Sequence, residues 1–320
     1  MIVVYHPKYL YGSAIINAMH PFCFDRAARV MALLQAELPE AMEQLVRQPE
    51  QAVVWEQLAG IHAADYLARA RRSTVIARVV EVPLLFWCPR SWMHRWFVEP
   101  TLWCMAGTLL GARAALSEGL AYNVGGGLHH AKHRWGEGFC LFSDIALAIL
   151  TLRTEGLLSE QDPITYIDLD VHQGNGVSTD FADDPAVQIM DMFNQEIYPF
   201  DDQVARAGID LAIPLEPGTG DETYLSRLQE GLDRVFSERP LPRLVIYNAG
   251  TDVYKEDLLG GLALSLEGVR RRDMMVLEAV RGRGIPMLAL ASGGYSPESA
   301  RMIANFVLDA YRWESAANRP

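Results

Sequence analysis

The chain has 320 residues, half of them apolar and 21% charged, and its 28 Lys and Arg against 40 Asp and Glu give a net charge of −12. That length and mixture can bury a large core, which excludes disordered, collagen-like and disulfide-scaffold classes. The acidic balance argues against nucleic acid as a partner, because duplex binding needs a basic face, while leaving room for a cationic substrate.

Cys23, Cys88, Cys104 and Cys140 stand at wide, irregular spacings with no C-x-x-C pair. This excludes a Cys-based zinc knuckle and argues against a disulfide framework, so free buried thiols in a reducing compartment are expected. The first residues, Met1 to Lys8, lack the basic head and apolar stretch of a signal peptide. No apolar run approaches the roughly 18 residues needed to span a bilayer. The expectation is a cytoplasmic protein.

Short apolar runs bounded by Gly, Pro or acidic residues predict buried parallel strands at 2–5, 122–124, 164–169, 187–192, 244–247 and 286–291. Between them, apolar residues at three- and four-residue spacing predict helices at 25–38, 100–116, 142–152, 223–236, 265–280 and 296–311. Strands alternating with helices indicate a parallel sheet covered on both faces, and without a repeat or linker the 320 residues read as one α/β domain. Residues 84–103 stand apart, holding Trp87, Trp92, Trp96 and Trp103 of the seven tryptophans. Packing under a long loop, an oligomer interface and the wall of an apolar channel all account for such a cluster.

In an open parallel sheet, ligands bind outside the carboxyl ends of the strands. Four strands here end in chemistry-bearing residues: Gly125-Gly-Gly-Leu-His129-His130, Asp168-Leu-Asp170-Val-His172, Asn248-Ala-Gly-Thr-Asp252 and Ser292-Gly293-Gly-Tyr295. Side chains alternate along a strand, so Asp168, Asp170 and His172 would point the same way. Joined by Asp252, they suit a catalytic metal site that leaves a position open for water. The three glycines before His129 permit a close backbone approach, and Tyr295, after two glycines, could reach an oxyanion.

These motifs, with Gly138-Phe139-Cys140, resemble the zinc-dependent histone deacetylases. The match runs in order from His20-Pro-Phe and His62-Ala-Ala-Asp-Tyr-Leu to the final helix, and its wording is most similar to the class IV branch. The resemblance implies the arginase/deacetylase fold, a roughly eight-stranded parallel sheet flanked by helices. It implies one Zn2+ held by Asp170, His172 and Asp252. It makes His130 the general base, His129 a charged or acid partner held by Asp168, and Tyr295 the carbonyl polariser. Gly138, Phe139, Tyr198 and Gly293 would line a tunnel for an acyl-lysine or other acylated amine, with Arg26 at its inner end. A structural K+ would sit against Asp168, Asp170, His172, Asp191 and Met192.

Two departures stand out. Many family members carry Asp where this chain has Asn175, so His130 should be more readily neutral here and Asn175→Asp should raise the acidic limb of the rate profile. No counterpart is evident for the rim Asp that grips substrate in many members; the aromatic segment lies in that region. Among rival activities, a binuclear manganese site would need a second carboxylate cluster, and the next acid after Asp252 is the lone Asp257. An acetylpolyamine amidohydrolase and a non-catalytic acyl-group binder share the same residues. His6, His20, His62 and His94 carry no ligand spacing and read as packing or surface groups.

Overall fold

The protein is described from a computed structural model, which covers residues 1–12, 16, 23–200 and 202–317. The His20-Pro-Phe motif lies outside the described residues. Eight strands, β1 (Ile2–Val4), β2 (Val46–Arg47), β3 (Leu120–Asn123), β4 (Ile164–Asp168), β5 (Val187–Asn194), β6 (Leu211–Leu215), β7 (Leu244–Asn248) and β8 (Met287–Leu290), form one sheet. Its order is β2-β1-β3-β8-β7-β4-β5-β6, and every pairing is parallel.

All six expected strands are present, and β2 and β6 are additional. β2 is a two-residue edge strand, too short to leave a pattern. β6 contains Pro214, which in a sequence argues against a strand. It is tolerated because β6 is an edge strand, paired among the described residues with β5 alone.

The long helices are α1 (Arg26–Glu37), α2 (Glu99–Glu118), α3 (Asp144–Thr154), α4 (Asp221–Glu238), α5 (Leu266–Arg281) and α6 (Ser299–Ala317). Alternation along the strands divides the core. Ile2, Ala121, Tyr166 and Ile246 pack with α2 and α3 on one face, while Val3, Tyr122, Ile167 and Tyr247 pack with α1, α4, α5 and α6 on the other. α2 is apolar on nearly every side, as a helix enclosed by its neighbours must be. α4 instead buries a stripe, Tyr224, Leu225, Leu228, Leu232 and Val235.

The four strands that carry the motifs, β3, β8, β7 and β4, are consecutive neighbours at the centre of the sheet. Their carboxyl ends therefore lie side by side. That placement decides where the chemistry can occur.

Candidate active site

The strand pattern stops at Asp168, so the expected alternation does not run on to His172. Beyond it the backbone turns, with Asp170 N–H donating to Asp168 Oδ1 at 3.1 Å and His172 N–H to Asp170 Oδ1 at 3.0 Å. The turn separates Asp168 from the other two. Asp168 Oδ2 accepts from His129 Nδ1 at 2.8 Å and Tyr166 Oη at 2.7 Å, and Oδ1 accepts from Asn248 Nδ2 at 3.0 Å. Asp170 and His172 instead meet Asp252, brought in from the end of β7.

Asp170, His172 and Asp252 are all buried, and one ligand atom from each lies within 4.8 Å of the others. His172 Nδ1 is 3.1 Å from Asp170 Oδ1 and 3.3 Å from Asp252 Oδ2. Among the described residues, buried Asp252 Oδ2 makes no well-formed hydrogen bond beyond its approach to His172, while its Oδ1 accepts from Val171 N at 3.0 Å. A Cβ on Gly293 would strike carboxylate oxygens of both Asp252 and Asp170, so this cradle needs glycine over it. Burial opposes charge on His172, but the two carboxylates push its pKa up to about 10. Two anions and an imidazole nitrogen aimed at one point are a donor set for a divalent cation, which would stand where that proton is held. The residues fit a metal.

The two adjacent histidines face each other, ring centroids 4.0 Å apart, in unlike surroundings. Burial opposes charge on His129, yet Asp168 and Asp170 push its pKa up to about 9. His130 is held well below the usual imidazole range by burial and by the nearby His129 and His172. Its Nδ1 meets Asn175 Oδ1 at 2.8 Å, a bond that works in the opposite direction. The depression of His130 thus comes from its burial and its neighbours rather than from having an amide as partner.

Tyr295 is nearly buried, its ring 6.3 Å from that of His172 and perpendicular to it. Burial, then Asp252 and Asp170, raise its pKa well above the usual phenol range, so the hydroxyl keeps its proton. Phe139 lies 6.0 Å from the Tyr295 ring, and Tyr198 stands edge-on to His130 at 4.9 Å. Gly138 has φ +52°, and a Cβ there would enter the His130 ring. A cavity of about 980 Å³, including its open mouth, joins Phe139, Gly138, His129, His130, Asp170, Gly293 and Tyr295. It continues inward to Tyr11, Phe24, Phe97, Cys104 and Arg26. The Arg26 guanidinium donates to the carbonyls of Ser292 and Gly294 at that inner end.

Residues 20–311 match the histone deacetylase domain. The chain belongs to the histone deacetylase family. Histone deacetylase 2 of Arabidopsis thaliana is 37% identical over 322 residues, which cover 99% of this chain and 80% of that protein. An uncharacterized protein of Picosynechococcus is 34% identical, with 92% of each chain covered. Histone deacetylase RPD3 of Saccharomyces cerevisiae is 32% identical over 200 residues, 59% of this chain and 44% of that one. The crystal structure of the HDA15 HD domain superposes with a TM-score of 0.74 at 19% identity, covering 98% of this chain and 90% of that chain, and shares the fold. Membership makes this chain a hydrolase of the deacetylase type.

Several groups that shape this histone deacetylase site have no motif to announce them. Asp144, first residue of α3, accepts from Gly127 N and Leu128 N, both at 2.8 Å, and so pins the loop that leads into His129. Asp257 holds the Tyr295 loop by accepting from Tyr295 N at 2.7 Å and Ser296 N at 3.0 Å. Arg272, fully buried, donates to the carbonyls of Leu169 at 3.1 Å and Gly250 at 2.5 Å, tying together the two loops that bear the acidic donors. Glu81 is exposed with φ +56°, beside Val80 of the cavity wall. Partial shielding of its carboxyl raises its pKa and His172 opposes that rise, while Tyr198 is raised chiefly by burial and then by Glu137, Cys140 and Glu81. Its one sequence-level signal is an acid just ahead of the aromatic segment.

The tryptophans divide. Trp103 stacks on His6 at 3.8 Å and Trp96 packs on the core, whereas Trp87 is 93% and Trp92 53% exposed. All four cysteines are free; Cys104 and Cys140 are buried, and burial pushes the Cys104 thiol up to about 12. Among the described residues, no helix is long and apolar enough to cross a membrane.

Proposed function

We propose that residues 1–320 act as one zinc-dependent amidohydrolase domain that removes an acetyl or longer acyl group from lysine-like amides. The observation that carries this reading is the convergence of Asp170, His172 and Asp252 on one point, with Asp170 lining a cavity that also holds His130 and Tyr295. A bound Zn2+ supplies Lewis acidity, lowering the pKa of water and polarising a carbonyl oxygen.

The protein's own groups supply the rest. His130, with Nδ1 committed to Asn175, offers Nε2 to take the proton from the attacking water. Tyr295 keeps its phenolic proton and donates it as a hydrogen bond to the oxygen on which charge develops. His129, held by Asp168, keeps a positive charge beside that centre. The proton taken by His130 goes to the leaving amine nitrogen, and a carboxylic acid is released. Gly138, Phe139, Tyr198 and Gly293 wall the approach, and Arg26 closes the inner end.

A structural K+ against Asp168, Asp170, His172, Asp191 and Met192 belongs to the same reading. Asp191 is buried beside Asp168 in the β4–β5 register, with Oδ1 lacking a hydrogen-bond partner among the described residues. Burial and Asp168 raise its pKa well above the carboxylate range, a penalty that a cation would relieve. The motif wording supports the class IV branch, and the free thiols support cytoplasmic residence. Exposed Glu81, next in the chain to Val80 of the cavity wall, favours a second reading, an amine-bearing small substrate such as an acetylpolyamine. Exposed Trp87 and Trp92 supply a surface through which copies of the chain could associate.

The test is turnover of an acetyl-, trifluoroacetyl- and long-acyl-lysine panel, with acetylspermidine alongside, by protein loaded with zinc. Hydrolysis of an acyl-lysine supports the reading. Hydrolysis of acetylspermidine alone transfers it to small amines, and no turnover of any with metal bound leaves an acyl-group binder.

A further inference from the structure

His130 must carry its proton on Nδ1 if Nε2 is to accept one, and an amide partner does not guarantee this. The oxygen and nitrogen of Asn175 are nearly the same shape, and a flipped amide would offer N–H to Nδ1 and favour the opposite tautomer. The structure contains a device that prevents the flip. Asn175 Nδ2 donates to Glu137 Oε1 at 2.8 Å and to Asp202 Oδ2 at 3.2 Å. Lys132 Nζ bridges the same two oxygens, 3.0 Å from Glu137 and 2.9 Å from Asp202.

An ionised carboxylate only accepts hydrogen bonds, so both of these groups demand the NH2 end of the amide. The ammonium bridges them, and against the opposing effect of burial its hydrogen bond holds Asp202 below the usual carboxylate range. Burial works against the Lys132 charge, but Asp202 and Glu137 hold its pKa above the usual value. The oxygen end is thereby turned toward His130. Local folding places each part: the bridges Lys132–Trp135 and Glu137–Cys140 curl the loop so that Lys132 and Glu137 face one way. Asp202 caps the short helix 203–207 with Oδ1 on Ala205 N at 3.0 Å, leaving Oδ2 free for the cluster.

The geometry points to Lys132, Glu137 and Asp202 as positioning residues that fix the tautomer of His130 through the amide of Asn175. This rests on the reading of His130 as base, but its test does not need turnover. With 15N-labelled histidine in the zinc-loaded full chain at pH 8, long-range 1H–15N spectra report which ring nitrogen bears hydrogen; loss of one ring system in H130Q assigns it. The wild-type ring should be protonated on Nδ1, and E137Q/D202N should shift it toward Nε2–H. The same variant should lose about tenfold or more in kcat with KM within about twofold, as expected when a general base is in the wrong form. A wild-type ring protonated on Nε2 overturns the inference before any variant is made. So does an unchanged Nδ1–H ring in E137Q/D202N or, should that protein not fold, in E137Q alone. A wild type with no deacylase activity but an Nδ1–H ring that responds to E137Q/D202N sinks the proposed function and leaves this inference standing.

Discussion

His129 Nδ1 meets Asp168 Oδ2 at 2.8 Å, both groups closed off from solvent. The next residue along the chain meets an amide at the same distance. Two adjacent imidazoles are thus driven apart, one up to about 9 and the other well below its usual range. Such a separation supports the proposed roles of His130 as base and His129 as charged partner.

Asn175→Asp should narrow that separation. A carboxylate on Nδ1 of His130 stabilises its imidazolium, so the free base appears only at higher pH. The acidic limb of kcat/KM against pH should move upward, and a limb that stays put counts against His130 as the titrating base. The new carboxylate would also face Glu137 and Asp202, which now receive N–H bonds at 2.8 and 3.2 Å. A lower Tm should therefore accompany the shift.

Tyr295→Phe removes one hydroxyl while leaving the ring between Phe139 and His172. Loss of a donor aimed at a developing oxyanion costs about 10²–10³ in kcat. Turnover should fall at least ~100-fold while metal content, measured by elemental analysis, stays the same. Near-wild-type turnover would remove the role.

Metal removal should be felt in stability as well as in activity. Without a cation, Asp170 and Asp252 lie buried together, and burial followed by the Asp170 charge pushes Asp252 up to about 7. A ligand that binds only the folded state stabilises it by mass action. Chelation should lower Tm and added Zn2+ restore it, whereas D252A should lose the response to Zn2+. Scanning calorimetry of both proteins with and without metal checks this.

The sequence is legible where one physical demand acts locally. Buried strands must be apolar and helices must be striped, so six strands and six helices stand out. Motif residues at strand ends follow from where parallel sheets bind ligands. The hidden parts are long-range. Arg272 reaches Leu169 and Gly250 across the fold, and Asp202 reaches Asn175 from 27 positions away. Nothing in their neighbourhoods marks such partners. The alternation argument for Asp168, Asp170 and His172 fails beyond β4 because two aspartate side chains capture the backbone N–H groups a strand would have offered to its neighbour. That turn is what separates the partner of His129 from Asp170 and His172.

His62 shows how a histidine without ligand spacing still governs the site. Its Nδ1–H donates to Lys132 O at 3.1 Å and its Nε2 accepts the N–H of Ser143 at 3.1 Å, so the ring is neutral and in one tautomer. It thereby ties the loop bearing Lys132 to the cap of α3. Burial pushes its pKa down to about 4. Because the folded-state value lies below the unfolded value of 6.5, the unfolded chain binds the extra proton first. The stability this group contributes is fully present above pH 6.5 and is lost as pH falls toward 4. The loss is at most about 3 kcal/mol, at 1.36 kcal/mol per pKa unit. His62→Gln removes the titrating group, so the stability gap between wild type and variant should be widest near pH 7.5 and shrink by pH 4.5. Urea midpoints at those two pH values measure it, and a gap that does not narrow would show that His62 is not held neutral by the fold.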